Sequence, residues 1–159
     1  MINVNSVKPA LQLTYVKLMM DVIGRGLVMA SQVDSEIQQE VAKFPANFTL
    51  SMNVFPNGPA FLAKVTENHQ LELLTPGSLK ADLTITFKHL SHAFLVFSFQ
   101  ESTAQAFAHD RMIADGDISY AIRLVRCLNK MESLILPKMV AELAVKEYPT
   151  ELGLKEKLT

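Results

Sequence analysis

The apolar positions of the chain first follow a helical period and then a period of two. Over residues 9–30 they recur three and four residues apart, which predicts one amphipathic helix. A short polar helix is predicted to start at Asp34, as its N-cap, and to end before Pro45. Apolar and polar residues then alternate with short connections between segments, which predicts four strands in an antiparallel meander. The predicted strands are residues 48–54, 61–66, 71–74 and 81–88.

The helical period returns after residue 88. Residues 90–99 are apolar on nearly all sides, and a helix of this kind must be buried on most of its surface. A short helix starting at Ser102 and a fifth strand over 112–114 come next. Asp117 then caps a helix that we expect Pro137 to stop, with a last helix over 138–148. Mixed helices and strands without a dividing linker predict one α+β domain over residues 1–159.

Charge and composition exclude several partners. The chain has 15 basic against 16 acidic residues, so no net field attracts nucleic acid, and membrane contact is at most transient. Charged residues make up only 19% of the 159 residues, against about 25% in an average domain. We therefore expect that some apolar surface lines a cavity or is shared with a ligand or a partner.

Two observations favour a cytoplasmic protein. The single cysteine, Cys127, cannot form an internal disulfide, which fits a reducing compartment. Lys17, Asp21 and Arg25 interrupt the apolar stretch over residues 11–30, so it is typical neither of a membrane span nor of a signal peptide.

The residues that carry chemistry in enzymes form no recognisable site. His89 and His92 are three apart, but a zinc site needs three or four ligands and Cys127 is distant in sequence. Cys127 falls in the middle of a predicted helix near its apolar face, where an inert buried thiol is the better interpretation. The sequence contains neither a nucleophile elbow nor a phosphate-binding loop. We expect a non-enzymatic protein with no metal and no cofactor.

Two features of the second half allow alternative interpretations. Arg123, Arg126 and Lys130 form a basic stripe, which is either a solvated helix face or a contact for an anionic headgroup or carboxylate. Four phenylalanines are concentrated in two short predicted helices, where they form either plain core or the wall of an apolar pocket. These phenylalanines are Phe94, Phe97, Phe99 and Phe107.

The order of segments in this half resembles the sterol carrier protein family. The strand-like stretch 81–87 is followed by a helix, by the Ala-Gln-Ala-Phe run at 104–107, and by a Gly-Asp junction into a long apolar helix at 116–124. The resemblance covers roughly residues 46–136 and implies a five-stranded, mainly antiparallel sheet with helices packed on one face. Residues 1–43 are then an extra helical extension, and residues 46–148 are the carrier-like core.

The resemblance further implies an apolar tunnel between sheet and helices that holds a fatty acyl chain, a sterol or another lipid without catalysis. The tunnel-lining residues that it implies are Met52, Leu83, Ile85, Phe94, Phe97, Phe107, Ile122, Val125 and Met131. The extension can pack across the sheet, fill the tunnel mouth or pair with a second subunit. The alternative function is an accessory module that forms a homodimer or docks a partner enzyme through this extension.

Overall fold

The computed structural model describes the backbone of residues 8–147 and the side chains of residues 8–135. It confirms the predicted α+β class, with a five-stranded sheet and five helices. The helices are α1 (Pro9–Val33), α2 (Ser35–Val41), α3 (Leu90–Phe97), α4 (Thr103–Ala108) and α5 (Ile118–Glu147). The strands are β1 (Thr49–Val54), β2 (Ala60–Val65), β3 (Leu71–Leu74), β4 (Leu83–Phe87) and β5 (Met112–Asp115).

The strand order is β3-β2-β1-β4-β5, so the prediction of a simple meander is wrong for β4. β4 pairs with β1 in parallel, with Met52 opposite Ile85, and every other pair is antiparallel. Alternation of apolar residues specifies which face of a strand is buried, but it does not specify the neighbouring strand. Pairing β4 with β1 makes β1 central and joins the apolar face of β4 to that of β1 and β2.

The inner face of the sheet is apolar throughout its centre. Side chains from β1, β2 and β4 that face the helices are at most 4% exposed: Leu50, Met52, Val54, Phe61, Ala63, Val65, Leu83, Ile85 and Phe87. α1 covers the β2–β3 side, whereas α3, α4 and α5 cover β4 and β5. The prediction that helices pack on one face of a mainly antiparallel sheet is therefore confirmed.

Helix starts agree with the sequence prediction. The Asp34 carboxylate accepts a hydrogen bond of 3.0 Å from the Ile37 N–H at the start of α2. The Ser102 side chain and Gln105 form a reciprocal capping box at the start of α4. The Asp117 carboxylate accepts a bond of 2.8 Å from the Ser119 N–H at the start of α5.

The prediction that Pro137 ends the last long helix is wrong, because α5 continues to Glu147 without a separate helix after the proline. A proline inside a helix removes one backbone hydrogen bond, the one to the carbonyl four residues earlier. The backbone bonds on either side of it remain available, so the helix can continue. Tyr148, the last residue of the predicted final helix, lies outside the described residues.

The N-terminal helix packs across the sheet, the first of the three arrangements that its sequence allowed. It runs three residues beyond its predicted end, and the apolar stripe that predicted it is buried. Its side chains on this stripe are at most 1% exposed: Val16, Met19, Met20, Ile23 and Leu27. None of the helices within residues 8–147 is both long and apolar enough to cross a lipid bilayer.

Candidate functional site

The structure brings most of the predicted ligand-lining residues into one buried cluster. Seven of the nine belong to the main core: Met52, Leu83, Ile85, Phe94, Phe97, Val125 and Met131. Phe107 is half-buried and packs against them. Ile122 is 41% exposed and lies on the outer side of α5, apart from this cluster. Eight of the nine predicted lining residues therefore lie where the helix layer packs against the inner face of the sheet.

Aromatic rings connect α1, α3 and β4 at the centre of this cluster. The ring of Phe97 meets that of Phe87 edge-on with centroids 5.6 Å apart. The ring of Phe94 meets Tyr15 in the same geometry at 5.5 Å. The Tyr15 hydroxyl donates a hydrogen bond of 2.7 Å to the Phe97 carbonyl, and burial raises the pKa of this phenol. These two contacts of Tyr15 hold α1 against Phe94 and Phe97, which are two of the predicted lining residues.

The sequence prediction did not include Tyr15 in the site. Tyr15 lies just outside the apolar stripe of α1, and a tyrosine at such a boundary can bury its ring while its hydroxyl reaches a polar partner. This amphipathic position was the available signal. The carbonyl that it binds, on α3, could not be identified without the fold.

Two glycines of α1 allow close contact with the rest of the molecule. A Cβ at Gly24 would lie 3.1 Å from the Phe61 Cβ, next to the backbone of β2. A Cβ at Gly26 would lie 3.1 Å from the Met131 Cε, at the mobile end of a side chain on α5. α1 therefore touches both the sheet and α5 at short range, and Met131 packs directly under it.

The basic stripe of α5 is paired with α2. Arg123 binds the Glu40 carboxylate at 3.0 Å, Arg126 lies 3.6 Å from the same carboxylate, and Lys130 lies 3.3 Å from Glu36. Arg126, Lys130 and the two glutamates line a groove of about 400 Å³ between α2 and α5. Their charges are largely matched within the protein, which weakens the interpretation of the stripe as an anion site.

Cys127 lies behind this stripe and is 2% exposed. Burial and the nearby Glu40 carboxylate raise the pKa of its thiol to about 12, so it remains protonated at neutral pH. A protonated, buried thiol is a poor nucleophile. This agrees with the expectation that Cys127 is structural.

A second polar site, which the sequence prediction missed, lies between the α3–α4 connection and α5. It is a pocket of about 320 Å³ whose lining includes Phe99, Gln100, Asn129 and Glu132. Phe99 has a backbone φ of +62°, a left-handed conformation that is costly for a bulky side chain. Glu132 is only 8% exposed although it borders this pocket.

Glu132 is held by one residue at the start of α4. Its Oε1 accepts hydrogen bonds from both the backbone N–H and the hydroxyl of Thr103. Burial raises the pKa of this carboxyl from 4.5 to about 8, and the bond from the Thr103 N–H opposes that shift only in part. No Lys, Arg or His pairs with Glu132 among the described side chains. The carboxyl is therefore neutral at pH 7.

The pKa of the neighbouring carboxyl group, Glu101, is shifted in the opposite direction. Burial opposes its ionisation, but hydrogen bonds from Arg111 at 2.6 Å and from His109 at 3.2 Å outweigh that effect and lower its pKa. Glu101 is thus ionised and holds the Arg111 guanidinium and the His109 ring. The pocket consequently presents one neutral carboxyl and no unpaired cation among the side chains described.

The histidine pair at the start of α3 does not belong to a larger ligand set. The His89 and His92 rings lie 5.9 Å apart, and burial lowers the pKa of His92. Among the described residues, no three His, Cys, Asp or Glu side chains are grouped closely enough to hold a metal ion.

Comparison with known proteins finds similarity in structure and not in sequence. No protein-family model matches the sequence, and no curated protein matches it. The fold is similar to that of a solved structure described as "UbiJ-SCP2 Ubiquinone synthesis protein", with a TM-score of 0.51 and 14% identity over 72% of this chain and 96% of that chain. A second solved structure, Sterol Carrier Protein 2 Like 2 from Aedes aegypti, has a TM-score of 0.43 and 11% identity over 70% of this chain and 97% of that chain.

These similarities concern the fold, since the identities are far below the level at which a site can be transferred. The order of strands and helices nevertheless agrees with the resemblance found in the sequence between residues 46 and 136. The chain has an SCP2-like fold.

Proposed function

We propose that this protein binds or carries a hydrophobic ligand between its sheet and its helix layer, without catalysis. The observation that carries the proposal is the cluster of predicted lining residues at the junction of α1, α3, α5 and the inner sheet face. Burial of about 300 Å² of an acyl chain there would contribute several kcal/mol before the costs of association, at ~25 cal/mol per Å². The fold adds support, because a solved structure with a similar fold is described as "UbiJ-SCP2 Ubiquinone synthesis protein".

The helix layer would have to open for such a ligand to enter. The predicted lining residues on the sheet are at most 1% exposed, and α1 is fastened to α3 by the Tyr15–Phe97 hydrogen bond. A neutral or weakly polar chain would replace contacts between apolar side chains, so it would not leave buried polar groups without partners. A lipid with one polar end fits this requirement better than a compact polar metabolite.

The direct test is native mass spectrometry of the full chain after gentle purification. We expect an added mass of lipid size, and we expect at least one probe of a panel that includes a fluorescent fatty acid to bind with sub-micromolar to micromolar affinity. The ligand panel should also include a sterol and an isoprenoid quinone, since the structural neighbour is described as a ubiquinone synthesis protein. Absence of both a co-purified lipid and uptake of every probe would contradict the proposal.

The chain contains no tryptophan, so a single introduced tryptophan can report the location of binding. Phe107→Trp places the reporter at a half-buried lining position, where extra ring volume is tolerated better than in the packed core. Phe55→Trp is the matched control, since Phe55 is 64% exposed and lies in the β1–β2 connection. Ligand addition should change the emission of Phe107→Trp and leave that of Phe55→Trp unchanged. Equal responses would place binding elsewhere.

A second candidate function is an accessory module that docks through the N-terminal extension, in the same cytoplasmic setting. The observation that favours it is an exposed apolar row on the outer side of α1. Its members are 60–73% exposed: Leu11, Leu18, Met29 and Val33. Sedimentation of the wild type and of Leu18→Glu/Met29→Glu distinguishes the two functions. A change from dimer to monomer with unchanged lipid uptake would assign self-association to α1 and binding to the core.

A further inference from the structure

Glu132 is the buried polar group that the proposed function leaves unused. A carboxyl side chain 8% exposed is costly unless it is paired or neutral. Here it has no basic partner among the described side chains, and its hydrogen bonds within the described residues come from Thr103. Replacement by an apolar residue would avoid the cost, so the carboxyl calls for a physical reason beyond packing.

The geometry leaves one carboxyl oxygen of Glu132 without a partner. Oε1 accepts both bonds from Thr103, and no bond to Oε2 exists within the part of the chain that the structure describes. In the neutral acid the proton therefore resides on Oε2. Glu132 borders the pocket together with Asn129, whose side-chain oxygen accepts from the Ala104 N–H at 3.4 Å. The pocket thus contains a hydrogen-bond donor that no described residue satisfies.

The size of the pocket fits a headgroup and not a whole lipid. Its volume of about 320 Å³ is at the small end for ligand pockets. Phe99 lines the pocket and also packs against the main core, so the pocket adjoins the apolar interior. Met131, one of the predicted lining residues, directly precedes Glu132 in α5. A chain lying among the core residues could therefore end at the pocket.

The charges around the pocket disfavour an anionic headgroup. Glu101 is ionised on one side of the pocket, and it already binds the Arg111 guanidinium and the His109 ring. A second anion would meet this carboxylate without an unpaired cation to balance it. A neutral group that accepts a hydrogen bond, such as a hydroxyl or a carbonyl, is compatible with both carboxyl groups.

We propose that Glu132 and its pocket bind the neutral polar end, a hydroxyl or carbonyl, of a hydrophobic ligand whose apolar chain lies among the core residues. This inference rests on the proposed function and names the chemical class of its ligand. Oε2 donates the hydrogen bond, Thr103 fixes the carboxyl by its two bonds to Oε1, and Asn129 and Gln100 line the same space. Glu132 is then a specificity-determining residue.

The test compares two pyrene-labelled sixteen-carbon chains that differ only at the end, one with a hydroxyl and one with a methyl group. One net neutral hydrogen bond predicts that the wild type binds the hydroxyl probe about three- to tenfold more tightly at pH 7. Glu132→Gln, a neutral side chain of the same shape, should keep the preference. Glu132→Leu should bind both probes equally, and Glu72→Leu, at an exposed position on β3, should behave as the wild type.

The outcomes separate this inference from the proposed function. If the wild type binds both probes with equal affinity, the headgroup inference is wrong and the proposed function stands. If neither probe binds, the headgroup inference is wrong, and the proposed function is wrong too where no lipid co-purifies and no other probe of the panel binds. If Glu132→Leu retains the preference while its circular dichroism and melting temperature show a folded protein, the preference comes from another residue and the inference is wrong. Glu132→Gln keeps the test decisive even where the leucine variant does not fold, because its loss of the preference also contradicts the inference.

Discussion

α1 and the group formed by α3, α4 and α5 cover the same face of one sheet, but they meet it with different side chains. α1 contributes methionine and branched aliphatic side chains that are almost fully buried, and two glycines that let it approach closely. The other group contributes phenylalanines, the strained backbone of Phe99 and the buried carboxyl of Glu132. α1 also buries the polar side chains of Gln12 and Ser31, but only the second region combines a bulky residue in a left-handed conformation with a buried carboxyl group.

This difference bears on where the proposed ligand would be selected. Strained backbone and buried polar groups persist where the surrounding structure holds them in place, and they concentrate at binding sites. Both occur around one pocket, at Phe99 and Glu132. The charges on the outer side of α5, by contrast, are matched by Glu36 and Glu40 of α2. Under the proposed function, α1 would be a cover and the α4–α5 edge would be the region that selects a ligand.

The largest effect is expected from breaking the aromatic packing of the second region. Phe87 is fully buried on β4 and meets Phe97 edge-on, so Phe87→Ala should lower the free energy of unfolding by about 3–5 kcal/mol. Urea denaturation measures this loss. Ile113→Ala, on the outer face of the neighbouring β5 and 53% exposed, should cost less than about 1 kcal/mol. Equal losses would show that this half of the sheet is not a packed core.

The sequence predicted most elements because the apolar period reports directly which side of an element is buried. The stripe from Val16 to Leu27 predicted α1, and the caps at Asp34 and Ser102 predicted where α2 and α4 start. The period does not indicate which other strand or helix packs against the buried side. The pairing of β4 with β1 therefore could not be predicted from alternation alone.

The candidate site was predictable only for its apolar part. Phenylalanines such as Phe94 and Phe97 could be assigned to a core or pocket wall from their spacing. Glu132 could not, because a single glutamate in a helix is ordinarily solvated, and its burial depends on where α4 lies. The same holds for the basic stripe, since the carboxylates that pair with it lie about 90 residues earlier in the chain, on α2.

The pH dependence of stability tests whether Glu132 is a neutral buried acid. Its pKa is raised from 4.5 to about 8 in the folded state, so the folded protein binds this proton more tightly than the unfolded chain. Its contribution to stability is therefore greatest below about pH 4.5 and is lost as pH rises through about 8. The loss should be roughly 3–5 kcal/mol, at 1.36 kcal/mol per unit of pKa difference. Denaturation at a series of pH values measures it.

Glu132→Gln is the control for this measurement because it removes the titration and keeps the shape. His92 acts in the opposite direction: burial lowers its pKa, so its effect makes stability rise with pH near its ordinary value of 6.5. Glu101 has a lowered pKa and changes stability only at more acidic pH. Both effects occur equally in wild type and Glu132→Gln, so they cancel when the free energies of unfolding of the two proteins are subtracted. A difference that stays constant between pH 5 and pH 9 would show that Glu132 is ionised throughout.

The smallest predicted effect on stability compares the contact of α1 with the sheet, at Gly24, and its contact with α5, at Gly26. Gly24→Ala and Gly26→Ala both replace an interior helical glycine, and each should gain about 0.5–1 kcal/mol from helix propensity alone. The new methyl group at 26 meets the movable end of Met131, so this gain should be retained. At 24 it meets the Cβ of Phe61, which can move only if the backbone of β2 moves, so the gain should be offset. We expect thermal denaturation to show Gly26→Ala more stable than Gly24→Ala by about 1 kcal/mol. Equal melting temperatures would contradict the expectation that α1 packs less adaptably against β2 than against α5.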